Sequence, residues 1–184
     1  MYVNVGSPGR CNDSQIYERS LLKRQLADYE LLAEMSTMLS NVVVPVYIIG
    51  DSAFKFAPNL MKPYPYSTEQ SLVEKNFNYK LSKCRRVVEN AFGQLKARFR
   101  RIGKGIDNNI GNANIILKSC CTLHNFLNDR DDDINLAWIQ DQERFDHARE
   151  SPDEIFMLHD NDADASAIRR AIASYTSKYF FLIT

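Results

Sequence analysis

Two carboxylates in this 184-residue chain stand where acidic groups can do chemistry. Asp51 follows Gly50 at the end of residues 42–49, an apolar, β-branched run that suits a buried strand. Open α/β sheets place functional groups just past the carboxyl ends of their strands. Glu89 is the one acid in segment 80–104, which holds nine basic residues. On a helical wheel of about 100° per residue, Arg85, Gly93, Lys96 and Arg100 fall within about 40° of Glu89, and the apolar stripe lies about 100° away. Hard, anionic oxygens of this kind bind Mg²⁺. Two such ions about 3.5–4 Å apart clamp the attacking and leaving oxygens of a phosphoryl displacement. Arg85, Arg86, Lys96, Arg98, Arg100 and Arg101 are then candidate contacts for a nucleic-acid backbone. Spacing alone leaves plainer readings open. An Asp after a strand serves turns, a Glu among arginines forms exposed ion pairs worth under about 1 kcal/mol, and a basic helix face is often simply solvated.

The elements that must position these groups follow from the pattern. Residues 2–5 alternate as a short strand does, and Ser7-Pro8-Gly9 signals a turn. Asn12 and Asp13 can cap a helix in which Ile16, Tyr17, Ser20, Leu21 and Leu22 fall at helical spacing. That pattern is expected to run, with a break, to about Leu39. Pro45 lacks a ladder donor, so the strand leading to Asp51 is expected to start at Val46. Prolines 58, 63 and 65 make 54–76 an irregular connection. A long helix is expected over 81–102, with Cys84, Val88, Ala91, Phe92, Leu95, Phe99 and Ile102 as its core face. Segment 107–114 reads as a loop. Residues 115–127 read as a second helix, apolar nearly all round and buried, in which His124 is a satisfied core histidine and Cys120-Cys121 is core. Beyond Asn128 the chain turns acidic: 129–164 holds thirteen acidic and three basic residues. Weak helices at 133–149 and 166–179 are expected, without a core-forming pattern. The division is therefore 1–128 as one domain and 129–184 as an acidic, weakly helical tail.

Composition excludes several classes. The chain is 45% hydrophobic, with 23 basic residues balancing 23 acidic ones, which rules out collagen-like or wholly disordered sequence. No apolar run approaches the roughly 20 residues needed to span a bilayer, and the first ten residues show no signal-peptide pattern. The four cysteines form no C-x-x-C pair, so reduced thiols in an intracellular protein are expected rather than a zinc site or disulfides. No helix-turn-helix or zinc finger that would read DNA sequence is visible.

Four blocks are more specific than spacing: VNVGSPGRCNDSQIYERSLL from Val3, YIIGDSAFKFAPNLMKPYP from Tyr47, FNYKLSKCRRVVENAFGQLKARFRRI from Phe77 and IILKSCCTLHNFL from Ile115. In this order they resemble the catalytic domain of PIF/Harbinger transposases and the nucleases derived from them, over about residues 2–128. The resemblance implies an α/β, RNase H-like mixed sheet with flanking helices, and a D-D-E metal triad. It further implies Mg²⁺- or Mn²⁺-dependent cutting and joining of DNA, nuclear location and a separate Myb/SANT-like DNA-binding partner. By it, the Asp of the family's GDS-type motif falls on Asp51 and the Glu of its R-x-x-x-E-x-x-F-G motif on Glu89. The family's first Asp lies on a strand upstream of the G-x-P-G block, and the chain starts at that block. The first catalytic Asp and the first strand are thus expected to be missing, as in a truncated gene model or a domesticated remnant, and Asp13 is read as a cap or support residue. Activity is expected to be impaired, and a catalytically dead DNA- or protein-binding module is the alternative.

Overall fold

The computed structural model describes residues 3–7, 11–28, 32, 34–147 and 162–178. It divides into two compact units, one of Met1–Pro8 with Arg86–Asp153, the other of Gly9–Arg85 with Glu154–Thr184. The α/β class expected from sequence holds.

The second unit begins with α1 (Asp13–Glu18) and α2 (Leu21–Asp28). Asn12, not Asp13, is the cap of α1: its side chain accepts from the Gln15 N–H at 2.9 Å. The helical pattern does not reach Leu39, and its stretch 29–31 lies outside the described residues. Instead β1 (Thr37–Leu39) pairs antiparallel with β2 (Val42–Val44). The turn is Ser40-Asn41, with φ of 49° and 65°, the two positive angles of a type I′ hairpin. Pro45 then ends β2, so the run 42–49 is two strands rather than one starting at Val46. The later piece, β3 (Ile48–Ile49), pairs parallel with β4 (Leu60–Met61) inside the supposedly irregular connection. The described strands thus form two separate two-stranded sheets, not one mixed sheet.

α3 (Leu72–Arg98) opens with a capping box. Ser71 Oγ accepts from the Glu74 N–H at 3.2 Å, and the Glu74 carboxylate accepts from the Ser71 N–H at 2.9 Å. Asn78 on α3 clamps the Tyr64 backbone, accepting from its N–H at 2.8 Å and donating to its carbonyl at 3.0 Å. The core of this unit joins Val44, Phe56, Met61, Phe77 and Leu81 to Ala165, Ile168, Ala171, Ile172 and Ala173. The last five sit on the final helix (Ala163–Lys178) and correct the expectation of a coreless tail. Apolar positions 165, 168 and 172 recur at helical spacing, but alanines and charged neighbours dilute the signal.

In the first unit, α4 (Arg100–Lys104), α5 (Ile110–Asn128) and α6 (Leu136–His147) join the later part of α3. Numbering the final helix α7 completes the chain order. α5 starts inside the expected loop 107–114, because Asn109 accepts from the Asn112 N–H at 2.8 Å and caps it. No strand forms at 3–5, and the turn predicted at Ser7-Pro8-Gly9 runs into undescribed residues, as does the acidic stretch at 148–161. The buried apolar set is thin: Leu95 and Ala97 among the described residues. Val88, Phe92, Ile115, Leu123 and Phe126 are exposed, as are Cys84 and Ala91, so the expected core face of α3 is buried only at its end. α5, expected to be buried, has His124 as its only buried residue, and Cys120 and Cys121 are half-buried. All four cysteines are free.

Candidate functional site

Parallel pairing sets the geometry around Asp51. Ile48 N–H donates to Asn59 O and Gly50 N–H to Met61 O, both at 2.9 Å. The chain therefore leaves β3 and β4 at the same end, where Asp51 and Lys62 follow. Gly50 is required there: a Cβ would lie 2.9 Å from Phe54 Cγ and 3.1 Å from Leu60 Cδ2. Asp51 Oδ1 accepts from the Ala53 N–H at 2.9 Å, an Asx turn that fixes the carboxylate. Its other oxygen faces Arg85 Nη2 at 3.9 Å, and the Asp51 side chain stays 40% exposed.

Lys62 is the neighbour that sequence reasoning missed. It is only 5% exposed, and its Nζ donates to Ser52 O at 3.2 Å and Phe54 O at 3.1 Å. Burial, with the Arg169 charge, pulls its ammonium down to about 8, against a counter-pull from Asp51. Arg169, from α7, stacks over Phe56 and Tyr64 at 4.2 and 4.0 Å and donates to the Pro63 carbonyl at 3.3 Å. The available signal was a lysine set between Leu60-Met61 and Pro63, an apolar setting that a solvated lysine does not need.

The basic residues divide. Arg85 is beside Asp51. Arg86 is exposed on α3, as is Glu89, and Lys96 is half-buried. Arg98 departs from the expected role. Its side chain is 7% exposed, donating to Asn128 Oδ1 at 3.0 Å and to the His124 carbonyl at 3.3 Å, with Asp132 alongside. A guanidinium spent on internal acceptors is not offered to phosphate. Arg100 pairs with Asp141 at 3.6 Å and lies over Trp138; Arg101 pairs with Asp107 at 3.5 Å. His124 is the satisfied core histidine expected, and burial, with Arg98 beside it, lowers its pKa.

A divalent cation fits Asp51 in kind. The group is a hard oxygen donor, oriented by a backbone N–H and open to solvent, and Mg²⁺ commonly takes one or two carboxylates while keeping several waters. No group of three or more His, Cys, Asp or Glu that could hold a metal ion occurs among the described residues. No described helix is long and apolar enough to cross a membrane.

An oriented, half-exposed carboxylate at the carboxyl end of a parallel pair stands where α/β proteins place functional groups. Residues 1–125 match the DDE superfamily endonuclease family, and the chain belongs to it. It is similar to "Protein ALP1-like" of Arabidopsis thaliana, with 31% identity over 134 residues, covering 71% of this chain and 32% of that protein. The chain thus spans about a third of this relative's length. No solved structure matches it significantly. Endonucleases of this superfamily generally use divalent metal ions.

Proposed function

We propose that the chain carries a transposase-derived, metal-dependent DNA endonuclease domain of RNase H-like type, acting in the nucleus, in which Asp51 and Glu89 are metal ligands. The observation that supports it most is Asp51 itself: it falls in the matched stretch, at the end of a parallel strand, with one oxygen held by the Ala53 N–H and the other facing Arg85 at 3.9 Å. Glu89 rests on the R-x-x-x-E-x-x-F-G motif and on its exposure within a basic helix. Bound Mg²⁺ or Mn²⁺ would supply Lewis-acid stabilisation of charge at phosphorus. This chain's own part is to hold the carboxylates and to offer Arg85, Arg86, Lys96, Arg100 and Arg101 toward DNA phosphates. Asp51 and Glu89 are proposed as part of the ligand set. A Myb/SANT-like protein is the proposed partner for sequence recognition.

A second reading, a catalytically inactive binding module, is favoured by the lack of a three-ligand cluster among the described residues. Calorimetric titration of Mn²⁺ into the chain, with circular dichroism as a folding control, separates the two. Binding that disappears in Asp51→Asn and Glu89→Gln supports the nuclease reading. A folded chain that binds no metal but binds DNA supports the module.

A further inference from the structure

We propose that Lys62 is a positioning residue for Asp51, holding the turn that aims its carboxylate; this deepens the reading of Asp51 as a metal ligand and rests on it. The turn has few other restraints. Asp51 Oδ1 binds the Ala53 N–H at 2.9 Å, and the Phe54 N–H reaches the Asp51 carbonyl at a long 3.4 Å. The carbonyls of Ser52 and Phe54 both accept from one ammonium, that of Lys62, a residue only 5% exposed. A lysine is suited to this task because its three donors on a long stem reach two diverging carbonyls. Its register makes the arrangement specific. Lys62 directly follows β4, as Gly50 and Asp51 directly follow β3, so the parallel pair delivers ammonium and carboxylate to one end. Arg169 holds the Lys62 side of this arrangement, donating to the Lys62 and Pro63 carbonyls at 3.5 and 3.3 Å. Without Lys62, both carbonyls lose that donor and the turn relaxes toward water. Partners that orient metal ligands typically contribute about 10–100-fold in metal affinity.

The test uses the whole chain with two readouts. The first is Mn²⁺ affinity by calorimetry; the second is hydrogen exchange at the Ala53 amide in the metal-free chain. Lys62→Met is expected to weaken Mn²⁺ about tenfold or more and to speed Ala53 exchange. Lys62→Arg, which keeps the donors, is expected to restore both toward wild type. Should Lys62→Met fail to fold by circular dichroism, Lys62→Gln replaces it. Unchanged Ala53 exchange in the folded Lys62→Met or Lys62→Gln variant overturns the positioning role, whatever the metal does. Faster exchange with unchanged Mn²⁺ affinity, while Asp51→Asn abolishes binding, also overturns it. Mn²⁺ binding that survives Asp51→Asn, or is absent in wild type, instead refutes Asp51 as a ligand, and the proposal for Lys62 falls with it.

Discussion

Replacing Ile172 by alanine tests whether α7 belongs to the core of the second unit. Ile172 is 6% exposed and shares a cluster with Val44, Met61 and Phe77. The change removes three carbons, each worth about 0.8 kcal/mol of transfer free energy, or about 2.4 kcal/mol together. A partly collapsed cavity raises this to about 3 kcal/mol, within the roughly 2–5 kcal/mol usual for such truncations. With a urea slope of about 2 kcal/mol/M, the unfolding midpoint should drop by about 1.5 M. Far-UV circular dichroism follows the helices, and Trp138, the chain's single tryptophan, reports on the first unit alone. Leu123→Ala is the control: that side chain is 50% exposed, so its truncation should cost about 1 kcal/mol or less. If Ile172→Ala moved the dichroism midpoint no further than Leu123→Ala, α7 would not be part of the core.

Other expectations concern the site and its supports. Gly50→Ala should cost about 1–3 kcal/mol, because the added Cβ meets Phe54 and Leu60; chemical denaturation that shows no loss would mean the turn has slack. Arg98→Gln should destabilise by about 1–2 kcal/mol by losing the charged hydrogen bonds to Asn128 and the His124 carbonyl, whereas exposed Arg86→Gln should stay within about 0.5 kcal/mol. In DNA anisotropy titrations, Arg86→Gln should reduce the salt slope by about 1; an unchanged slope removes Arg86 from the interface. His124 carries a pH dependence. Its folded pKa lies below the ordinary 6.5, so the unfolded chain takes up the proton first. The stability from the neutral ring is complete above about pH 6.5 and is lost as pH falls through the folded value. Thermal melts between pH 7 and 5 should show a steeper decline in wild type than in His124→Gln; equal slopes would remove His124 as the cause.

The family was legible because the words around Asp51 and Glu89 carry it; α1 was legible from its capping residues and spacing, α3 and most of α5 from apolar spacing, and α6 only as a weak helix. The strands were harder. Two-residue strands such as β3 and β4 are too short for any periodicity, and a Ser-Asn hairpin turn is quieter than Asn-Gly. α7 was expected as a weak helix at 166–179, but its place in the core was missed because the acidic stretch was read as solvated, although Ala165, Ile168 and Ile172 form a stripe. Lys62 and Arg169 were invisible for a deeper reason. A basic residue is read as solvated until the structure shows the carbonyls and rings that replace water around it. Arg98 erred the opposite way: it was read with the basic residues around it as a phosphate contact, but its partners lie about thirty residues further on.

The connection between β3 and β4 has a consequence in time. Parallel strands are usually joined by a dozen or more residues with a helix between them; here residues 50–59 suffice. A loop of about ten residues closes in roughly 10–100 ns, so the Asp51 turn can meet Lys62 long before α7, a hundred residues later, completes the core. Asp51 thus acquires its surroundings by a local event, and the slow search belongs to the distant helix. In stopped-flow refolding, substitutions within 48–62 should slow folding, while Ile172→Ala should chiefly speed unfolding. The chemistry-bearing turn would then be an early fixture of the chain, around which the rest of the unit assembles.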